Sequence, residues 1–210
     1  VGGLSKRIVK LALTVVGHVP GGLGYVAIMA AVILAAVSGS AVADAAALAS
    51  LLLPMMVAAG HNKERSEGLI ASAGIIAPVI PPSIGFVVFG VAANVSISKL
   101  FLAGIVPGLL MGLAIAVTWY WISQRENVTP PPKASTAEKL QALKESTWAL
   151  FLPVIVIVGL KMGVFTPTEA AAVAAVYALF VATLVYRELH WRQLTDVFIS
   201  AAKTTAVIMF

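Results

Sequence analysis

The stretch GIIAPVIPPSIGF, Gly74–Phe86, lies inside an apolar segment, Leu69–Ala93, that is long enough to cross a lipid bilayer. It contains three prolines and two glycines, the residues that most strongly disfavour a helix interior. Within hydrocarbon, non-helical backbone is tolerated only where protein buries it or a water-filled cavity faces it. The stretch therefore predicts a transmembrane helix that is broken near its midpoint, with half-helices near Gly68–Ala77 and Ile84–Ala93.

The composition agrees with a membrane protein. The 210 residues are 60% hydrophobic and 11% charged, whereas soluble domains are about 45–50% apolar and about 25% charged. Several long uncharged runs favour transmembrane helices, and the short alternating strands of a barrel are absent from the sequence. The sequence thus predicts an all-α integral membrane protein.

Cysteine is missing, which excludes disulfides and thiolate metal sites. The net charge of +5 is explained by basic residues collected on one membrane face, and nucleic-acid binding has no support. The sequence begins at Val1 without a methionine and ends at Phe210 within a fresh apolar run. We therefore expect an internal piece of a larger membrane protein.

Hydrophobicity and breaker residues divide the chain into successive segments. In order, these are an amphipathic interfacial arm helix at 1–20, a re-entrant helical hairpin at 21–60, the broken transmembrane helix at 68–93, a transmembrane helix at 99–123, a cytoplasmic linker with a surface helix at 124–146, transmembrane helices at 147–165 and 167–187, and an amphipathic segment with a truncated transmembrane helix at 188–210.

The hairpin is predicted from two short apolar arms, Leu23–Val37 and Ala41–Ala59, which the tripeptide Ser38–Ser40 joins. Each arm is at or near the lower limit for a span of about 17–25 residues, so the pair favours a re-entrant hairpin, with two tight full spans as the alternative. The polar loop His61–Glu67 is expected to be solvated. The aromatic run Trp119–Trp121 is expected to anchor its helix at the membrane interface.

Basic residues predict the orientation. If the hairpin returns to its starting side and each later helix crosses once, most of them share one face: Lys6, Arg7, Lys10, Lys63, Arg65, Arg125, Lys133, Lys139, Lys144, Arg187 and Arg192. Lys99 and Lys161 fall on the other. The positive-inside rule makes the first face cytoplasmic, so the hairpin is predicted to enter from the cytoplasm.

The break itself carries candidate binding groups. Pro78, Pro81 and Pro82 have no N–H, so carbonyls of the preceding turn lose their helical partners. Those carbonyls and the Ser83 hydroxyl form an oxygen cluster suited to a small cation, while the positive end of the second half-helix suits an anion. Discontinuous helices of this kind form the midplane site of secondary transporters. The alternative is a proline kink that only shapes packing.

The hairpin tip follows the same logic. Gly39 permits a tight turn, and Ser38 and Ser40 offer hydroxyls and carbonyls where two helix ends meet; close packing of small residues is the alternative. Asp44, one turn further on, either caps the second arm or acts as a buried functional carboxylate. Because no catalytic triad, phosphate loop or metal-ligand spacing occurs, the sequence predicts no enzyme and no cofactor.

Four stretches resemble the large membrane subunit (the M subunit, DctM-like) of tripartite ATP-independent periplasmic (TRAP) transporters, and within that family the branch of the 2,3-diketo-L-gulonate permeases. They are GGLSKRIVKLALTVVGHVPGGLGY (2–25), VSGSAVADAAALASLLLPMM (37–56), GLIASAGIIAPVIPPSIGFVVFGVAANVSISKLFLAGIVPGLLMG (68–112) and GVFTPTEAAAVAAVYA (163–178).

The resemblance implies an elevator-type fold of the ion-transporter superfamily in the bacterial inner membrane. It implies import of an organic acid anion, such as a sugar acid or a C4-dicarboxylate, driven by sodium as the coupling ion. The implied partners are a small four-helix membrane subunit (Q) and a periplasmic substrate-binding protein. A second, inverted half of the transport site lies outside this sequence.

Carried over residue by residue, the family's sodium site falls on Ser38, Gly39, Ser40, Gly74, Pro78 and Pro81. The substrate carboxylate falls beside the same elements, at Ser38, Ser40, Pro82 and Ser83. Two other functions stay open from the residues alone: a proton-coupled carrier or channel subunit that uses Asp44, and an assembly subunit without its own substrate site.

Overall fold

The computed structural model describes residues 3–126 and 128–209, and the regular elements within these ranges are helical, as the sequence predicts. The helices are α1 (Leu4–Val16), α2 (Gly22–Ser38), α3 (Ala41–Ala58), α4 (Lys63–Gly74), α5 (Ile84–Ala92), α6 (Ile97–Ser123), α7 (Thr136–Lys161), α8 (Pro167–Phe180) with a π-helical extension (Val181–Val185), a 3₁₀ turn (Trp191–Gln193) and α9 (Leu194–Met209).

Within the described residues, four helices are long and apolar enough to cross a membrane: α3, α6, α7 and α8 with its extension. Helix α2 is apolar but shorter, with 17 residues. Helices α4 and α5 have 12 and 9 residues, or about 18 Å and about 14 Å at 1.5 Å per residue. Because the hydrocarbon core is about 30 Å thick, neither half of the broken helix can cross alone.

Helix α1 begins and ends where the amphipathic pattern indicates. Its buried face packs against α2 and α7. On its polar face the Lys10 ammonium lies 2.6 Å from the Glu145 carboxylate, and Arg7 lies 2.5 Å from Glu188 and over the Tyr186 ring. Exposed pairs of this kind add little stability, so the buried apolar face holds the arm in place.

The main core lies between the hairpin and its neighbours. Buried side chains of α3 (Leu48, Leu52 and Met56) meet those of α1, α2 and α4. A second cluster joins α2 to the break, where Ala35 and Ala36 contact Ile76, Ala77 and Ile80. The break is therefore buried against the hairpin and not free in lipid.

The polar stretch His61–Glu67 is not a solvated loop. Helix α4 already begins at Lys63, because the Asn62 side chain accepts a hydrogen bond from the Arg65 N–H at 2.9 Å and caps it. His61, which precedes this cap, is only 5% exposed. The prediction of a loop is wrong because Asn62, an N-cap residue, lets the polar run after it form a helix.

The surface helix expected before residue 147 and the span expected after it are one continuous helix, α7. A capping box between Ser135 and Glu138 starts it, and no glycine or proline interrupts the chain before Pro153. A capping box between Thr166 and Glu169 likewise starts α8. Helix α8 then passes at Val181 into a π-helical turn that the sequence pattern does not indicate.

The two tryptophans in the aromatic run at the end of α6 lie in different environments. Trp121 is exposed, as an interfacial anchor would be. Trp119 is buried, and its Nε1–H donates a hydrogen bond to the Gly21 carbonyl at 2.8 Å. Trp119 therefore joins α6 to the start of the hairpin instead of facing lipid.

Candidate functional site at the hairpin tip and the helix break

The hairpin tip is a tight turn between two helix ends. Helix α2 ends at Ser38, and Gly39 follows it in the left-handed region with a φ of 61°. The Ser40 hydroxyl accepts a hydrogen bond from the Ala43 N–H at 3.4 Å and caps α3, while the Ser38 hydroxyl accepts one from the Ser40 N–H at 3.2 Å. Both hydroxyls therefore organise the turn.

The break is the non-helical stretch between Gly74, the end of α4, and Ile84, the start of α5. In an α-helix each carbonyl accepts a hydrogen bond from the N–H four residues later. The prolines at positions 78, 81 and 82 remove these donors for the carbonyls of residues 74, 77 and 78. The opened backbone is thus a direct consequence of the proline spacing.

Some of these carbonyls find other partners. The Gly74 carbonyl accepts from the Ala77 N–H at 3.2 Å, and the Pro78 carbonyl accepts from the Ser83 hydroxyl at 2.6 Å. Among the described residues, nothing donates a hydrogen bond to the Ala77 carbonyl. The buried Ser83 hydroxyl also accepts from the Phe86 N–H at 3.3 Å, so one side chain both closes the break and caps α5.

The tip and the break meet at glycines. A Cβ atom at Gly39 would overlap the Pro82 carbonyl oxygen and lie 3.4 Å from the Ser83 Cα. A Cβ atom at Gly74 would lie 3.1 Å from the Ala41 carbonyl oxygen, in the first turn of α3. Because glycine has no Cβ, the backbones of the hairpin and of the broken helix come into direct contact at both positions.

Helix N-termini and helix C-termini meet at the junction of the hairpin tip and the break. Helices α2 and α4 end at this junction, and α3 and α5 begin at it. A helix carries a partial charge of about +0.5 at its N-terminus and about −0.5 at its C-terminus. The junction therefore offers oxygen-rich negative ends to a cation, and positive ends with serine caps to a carboxylate.

Helix α6 supports the break through a row of glycines that sequence reasoning missed. A Cβ at Gly104 would overlap the Val79 carbonyl oxygen, and one at Gly108 would overlap the Ile80 side chain. Gly112 continues the row towards Val32 of α2. The signal was present as glycines at intervals of four residues, which place small residues on one helix face for close packing in membranes.

Two cavities open at the tip. The larger, about 850 Å³, lies between the tip and the last helix; it is lined by Ser38, Ser40, Ala43, Ile84, Glu188, Leu189, Gln193, Asp196, Val197, Ser200, Ala201, Thr204 and Thr205. The smaller, about 330 Å³, reaches from the break towards α6–α8; Ser38, Pro82 and Ser83 line it together with mainly apolar side chains. Both volumes are typical of small-molecule sites.

The structure brings most of the sequence-predicted site residues together. Ser38, Gly39, Ser40, Pro82 and Ser83 surround the junction, Pro78 joins it through the Ser83 hydrogen bond, and Gly74 contacts the first turn of α3. Pro81 is fully buried and lines neither of these cavities. Its missing N–H removes the helical donor of the Ala77 carbonyl.

Asp44 lies in the first turn of α3 and is 3% exposed. It does not cap the helix, because the Ser40 side chain does so. Its Oδ2 atom forms no hydrogen bond with any of the described residues. Within the described ranges no group of three or more histidine, aspartate or glutamate side chains could hold a metal ion, so the oxygens at this junction are hydroxyl and backbone oxygens together with one nearby carboxylate.

A hairpin whose tip contacts a broken helix, among apolar helices of membrane length, defines a multi-pass membrane protein of the transporter type. The family model described as "Tripartite ATP-independent periplasmic transporter, DctM component" matches residues 1–210. The chain belongs to this family, which confirms the resemblance found in the sequence, and it is part of a multi-pass inner-membrane protein.

Curated relatives agree with the family. The 2,3-diketo-L-gulonate TRAP transporter large permease protein YiaN of Escherichia coli (strain K12) is 58% identical over 209 residues, which are 100% of this chain and 49% of that protein. The sialic acid TRAP transporter large permease protein SiaM of Vibrio cholerae is 43% identical over 206 residues, 98% of this chain and 48% of that protein.

The C4-dicarboxylate TRAP transporter large permease protein DctM of Pseudomonas aeruginosa is 41% identical over 209 residues, 100% of this chain and 49% of that protein. The chain therefore spans about half the length of these relatives. All three are named as transporter permeases and none as an enzyme.

Proposed function

We propose that this chain supplies half of the pathway of a sodium-driven importer of organic acid anions, and that the tip and the break together hold one sodium ion. The observation that supports the proposal most directly is the contact of Gly39 with the Pro82 carbonyl, beside the Ser83 hydroxyl. This contact places hydroxyls and opened backbone from two separate elements at one point.

Sodium acts in this proposal as the group that joins the two elements. The ends of α2 and α4 and the freed carbonyls bring partial negative charge to the junction. A bound cation offsets this charge and links Ser38, Gly39 and Ser40 to Gly74, Pro78 and Pro81. The site then favours an anion, since the N-terminal ends of α3 and α5 remain unopposed. Binding of sodium and of the anion is therefore cooperative.

The proposed substrate is a carboxylate, and more narrowly a sugar acid. The relatives are named for 2,3-diketo-L-gulonate, sialic acid and C4-dicarboxylate, all of which carry carboxylate groups. We assign the carboxylate to Ser38, Ser40, Pro82 and Ser83, which line the two cavities at the tip. The apolar walls of the smaller cavity leave recognition of further hydroxyls to the missing half of the permease.

The hairpin is proposed to be re-entrant and to move with the broken helix. Since neither α4 nor α5 can cross the bilayer alone, the break between them lies inside the membrane, and so does the tip that contacts it. Helix α1, which packs between α2 and α7, is the arm that connects this moving unit to α7 and α8. A small membrane subunit and a periplasmic binding protein complete the proposed importer.

The test replaces Ser40 or Ser83 with alanine in the full-length permease, assembled with its partner proteins in liposomes. Each substitution removes a helix cap at the junction, so the sodium concentration for half-maximal uptake is expected to rise while membrane insertion is retained. Ser96→Ala is the matched control, because Ser96 caps α6 in the same way but is exposed. Unchanged sodium dependence in both site variants rejects the assignment.

A proton-coupled carrier is the second candidate, and one observation favours it. Asp44 is buried beside the tip, its Oδ2 atom has no hydrogen-bond partner in the part of the chain that the structure describes, and buried carboxylates in membranes often carry protons. In this case uptake follows the pH gradient, ignores sodium and is lost in Asp44→Asn. Sodium-dependent uptake that survives in Asp44→Asn excludes this candidate.

A further inference from the structure

A cluster of acidic and basic side chains around a buried carboxylate lies at the end of the hairpin opposite the tip, and the proposed site does not use it. The His61 Nδ1 atom is 2.6 Å from the Glu126 Oε2 atom, and their side chains are only 2% and 7% exposed. The Arg65 guanidinium contacts the other carboxylate oxygen, Oε1, at 3.2 Å. Both oxygens of one buried carboxylate are therefore engaged by basic side chains.

Trp119 extends this cluster to the hairpin. Its ring lies against the His61 ring, with centroids 5.7 Å apart and planes tilted by 47°. Its Nε1–H donates to the Gly21 carbonyl just before α2, and Gly24 leaves the space that the indole occupies. We name the four side chains His61, Arg65, Trp119 and Glu126 the basal clamp.

The basal clamp connects the two hairpin helices and α4, the first half of the broken helix, to α6. His61 stands between α3 and α4, Arg65 lies in the first turn of α4, and Glu126 follows α6. Removing charges from water is costly, so a buried ion pair is weak evidence for stability, and fixing the register of packed elements is its best-attested role. The clamp is placed to set the register of the hairpin and α4 against α6.

We propose that His61 and Glu126 are positioning residues for the transport site, an inference that rests on the proposed function. Helix α3 has 18 residues, so it is about 27 Å long. A tilt of about 5° at its base therefore moves the tip by about 2 Å, since displacement grows with the length of the helix. The clamp holds the base so that Gly39 and Pro82 meet.

The decisive variant is Glu126→Gln in the full-length permease, because it keeps the side-chain shape and removes the charge. The matched control is Glu67→Gln. Glu67 forms an exposed ion pair with Lys63 at 3.8 Å within helix α4, and the substitution removes the carboxylate of that pair. The first readout is hydrogen exchange of backbone amides. Faster exchange is expected at the tip, residues 39–44, in Glu126→Gln and not in Glu67→Gln.

The second readout is sodium-dependent uptake by the assembled transporter. Glu126→Gln is expected to raise the half-saturating sodium concentration at least about fivefold, the lower end of ordinary coupling between sites, with a smaller effect on the maximal rate. The double variant with His61→Gln and Glu126→Gln is expected to have nearly the same half-saturating sodium concentration as Glu126→Gln alone, because the two residues act as one unit.

The outcomes separate this proposal from the proposed function. If the wild type takes up substrate without sodium, the proposed function fails. Amide hydrogen exchange at residues 39–44 still decides in that case whether the basal clamp positions the tip. If exchange rises only near residues 61–67 and 119–126, the clamp is a local structural contact and the proposal is overturned. If Glu126→Gln does not assemble, Arg65→Gln takes its place, because Arg65 contacts the same carboxylate and is half exposed. Unchanged amide exchange at the tip in Arg65→Gln also overturns the proposal.

Discussion

Gly39→Ala tests the contact between the tip and the break directly. The substitution has two costs. Alanine in the left-handed conformation, required here by a φ of 61°, costs about 1–2 kcal/mol. The added methyl group would also overlap the Pro82 carbonyl oxygen, and forcing an extra carbon into close packing costs about 1–3 kcal/mol.

The two costs can be separated by a control. Gly163 has a similar φ of 72°, but among the described residues no atom beyond its own chain neighbours lies within 4 Å of the Cβ position there. Gly163→Ala therefore has the conformational cost without the contact. The difference in free-energy cost between the two variants is therefore the cost of the overlap with the Pro82 carbonyl, about 1–3 kcal/mol. This corresponds to about 5–150-fold in a binding constant.

The assay is sodium-dependent uptake by the full-length permease with its partner proteins in liposomes. Relative to Gly163→Ala, Gly39→Ala is expected to raise the half-saturating sodium concentration by that factor, because the methyl group separates the tip from the break. Equal sodium dependence in the two variants refutes the reasoning that this contact belongs to the cation site.

The other predictions concern the packing that supports the site. Gly104→Ala is expected to lower the thermal unfolding temperature of the purified permease, because its methyl group would overlap the Val79 carbonyl oxygen. Gly68→Ala lies in open space on α4 and is expected to stabilise by up to about 1 kcal/mol through better helix propensity. Equal effects of the two substitutions would contradict close packing of the glycine row on α6 against the break. Trp119→Phe is expected to cost about 1 kcal/mol in unfolding experiments, because the buried Gly21 carbonyl loses one of its two donors and keeps the Gly24 N–H at 2.9 Å. Trp121→Phe at an exposed position is expected to stay within about 0.5 kcal/mol. Similar losses for both tryptophans would show that the hydrogen bond does not carry the difference.

Much of the local structure could be predicted from sequence, because its causes lie within a few residues. The capping box at Thr166–Glu169 and the amphipathic face of α1 depend only on neighbouring side chains. The helical start at Lys63 was missed for a related reason, since a polar run with an N-cap resembles a loop. The aromatic run at the end of α6 predicts an interfacial Trp119, because the rule uses residue type and position along the helix and not the partner of the side chain.

The basal clamp could not be predicted in this way. His61 and Glu126 are 65 residues apart, and Trp119 and Gly21 are 98 apart. Nothing near His61 in the sequence distinguishes a buried partner of a carboxylate from a histidine in a loop. Its environment is set by how α4 and α6 pack, which depends on the whole bundle.

The proline spacing by itself determined where the backbone of the broken helix opens, because a missing N–H is a property of the residue and needs no neighbour. The serine and glycine of the tip likewise determined a tight turn. Only the tertiary structure decided that Gly39 faces the Pro82 carbonyl and that Gly104 supports the break from the other side. Those contacts join segments distant in sequence, and they form because small residues let packed backbones approach each other.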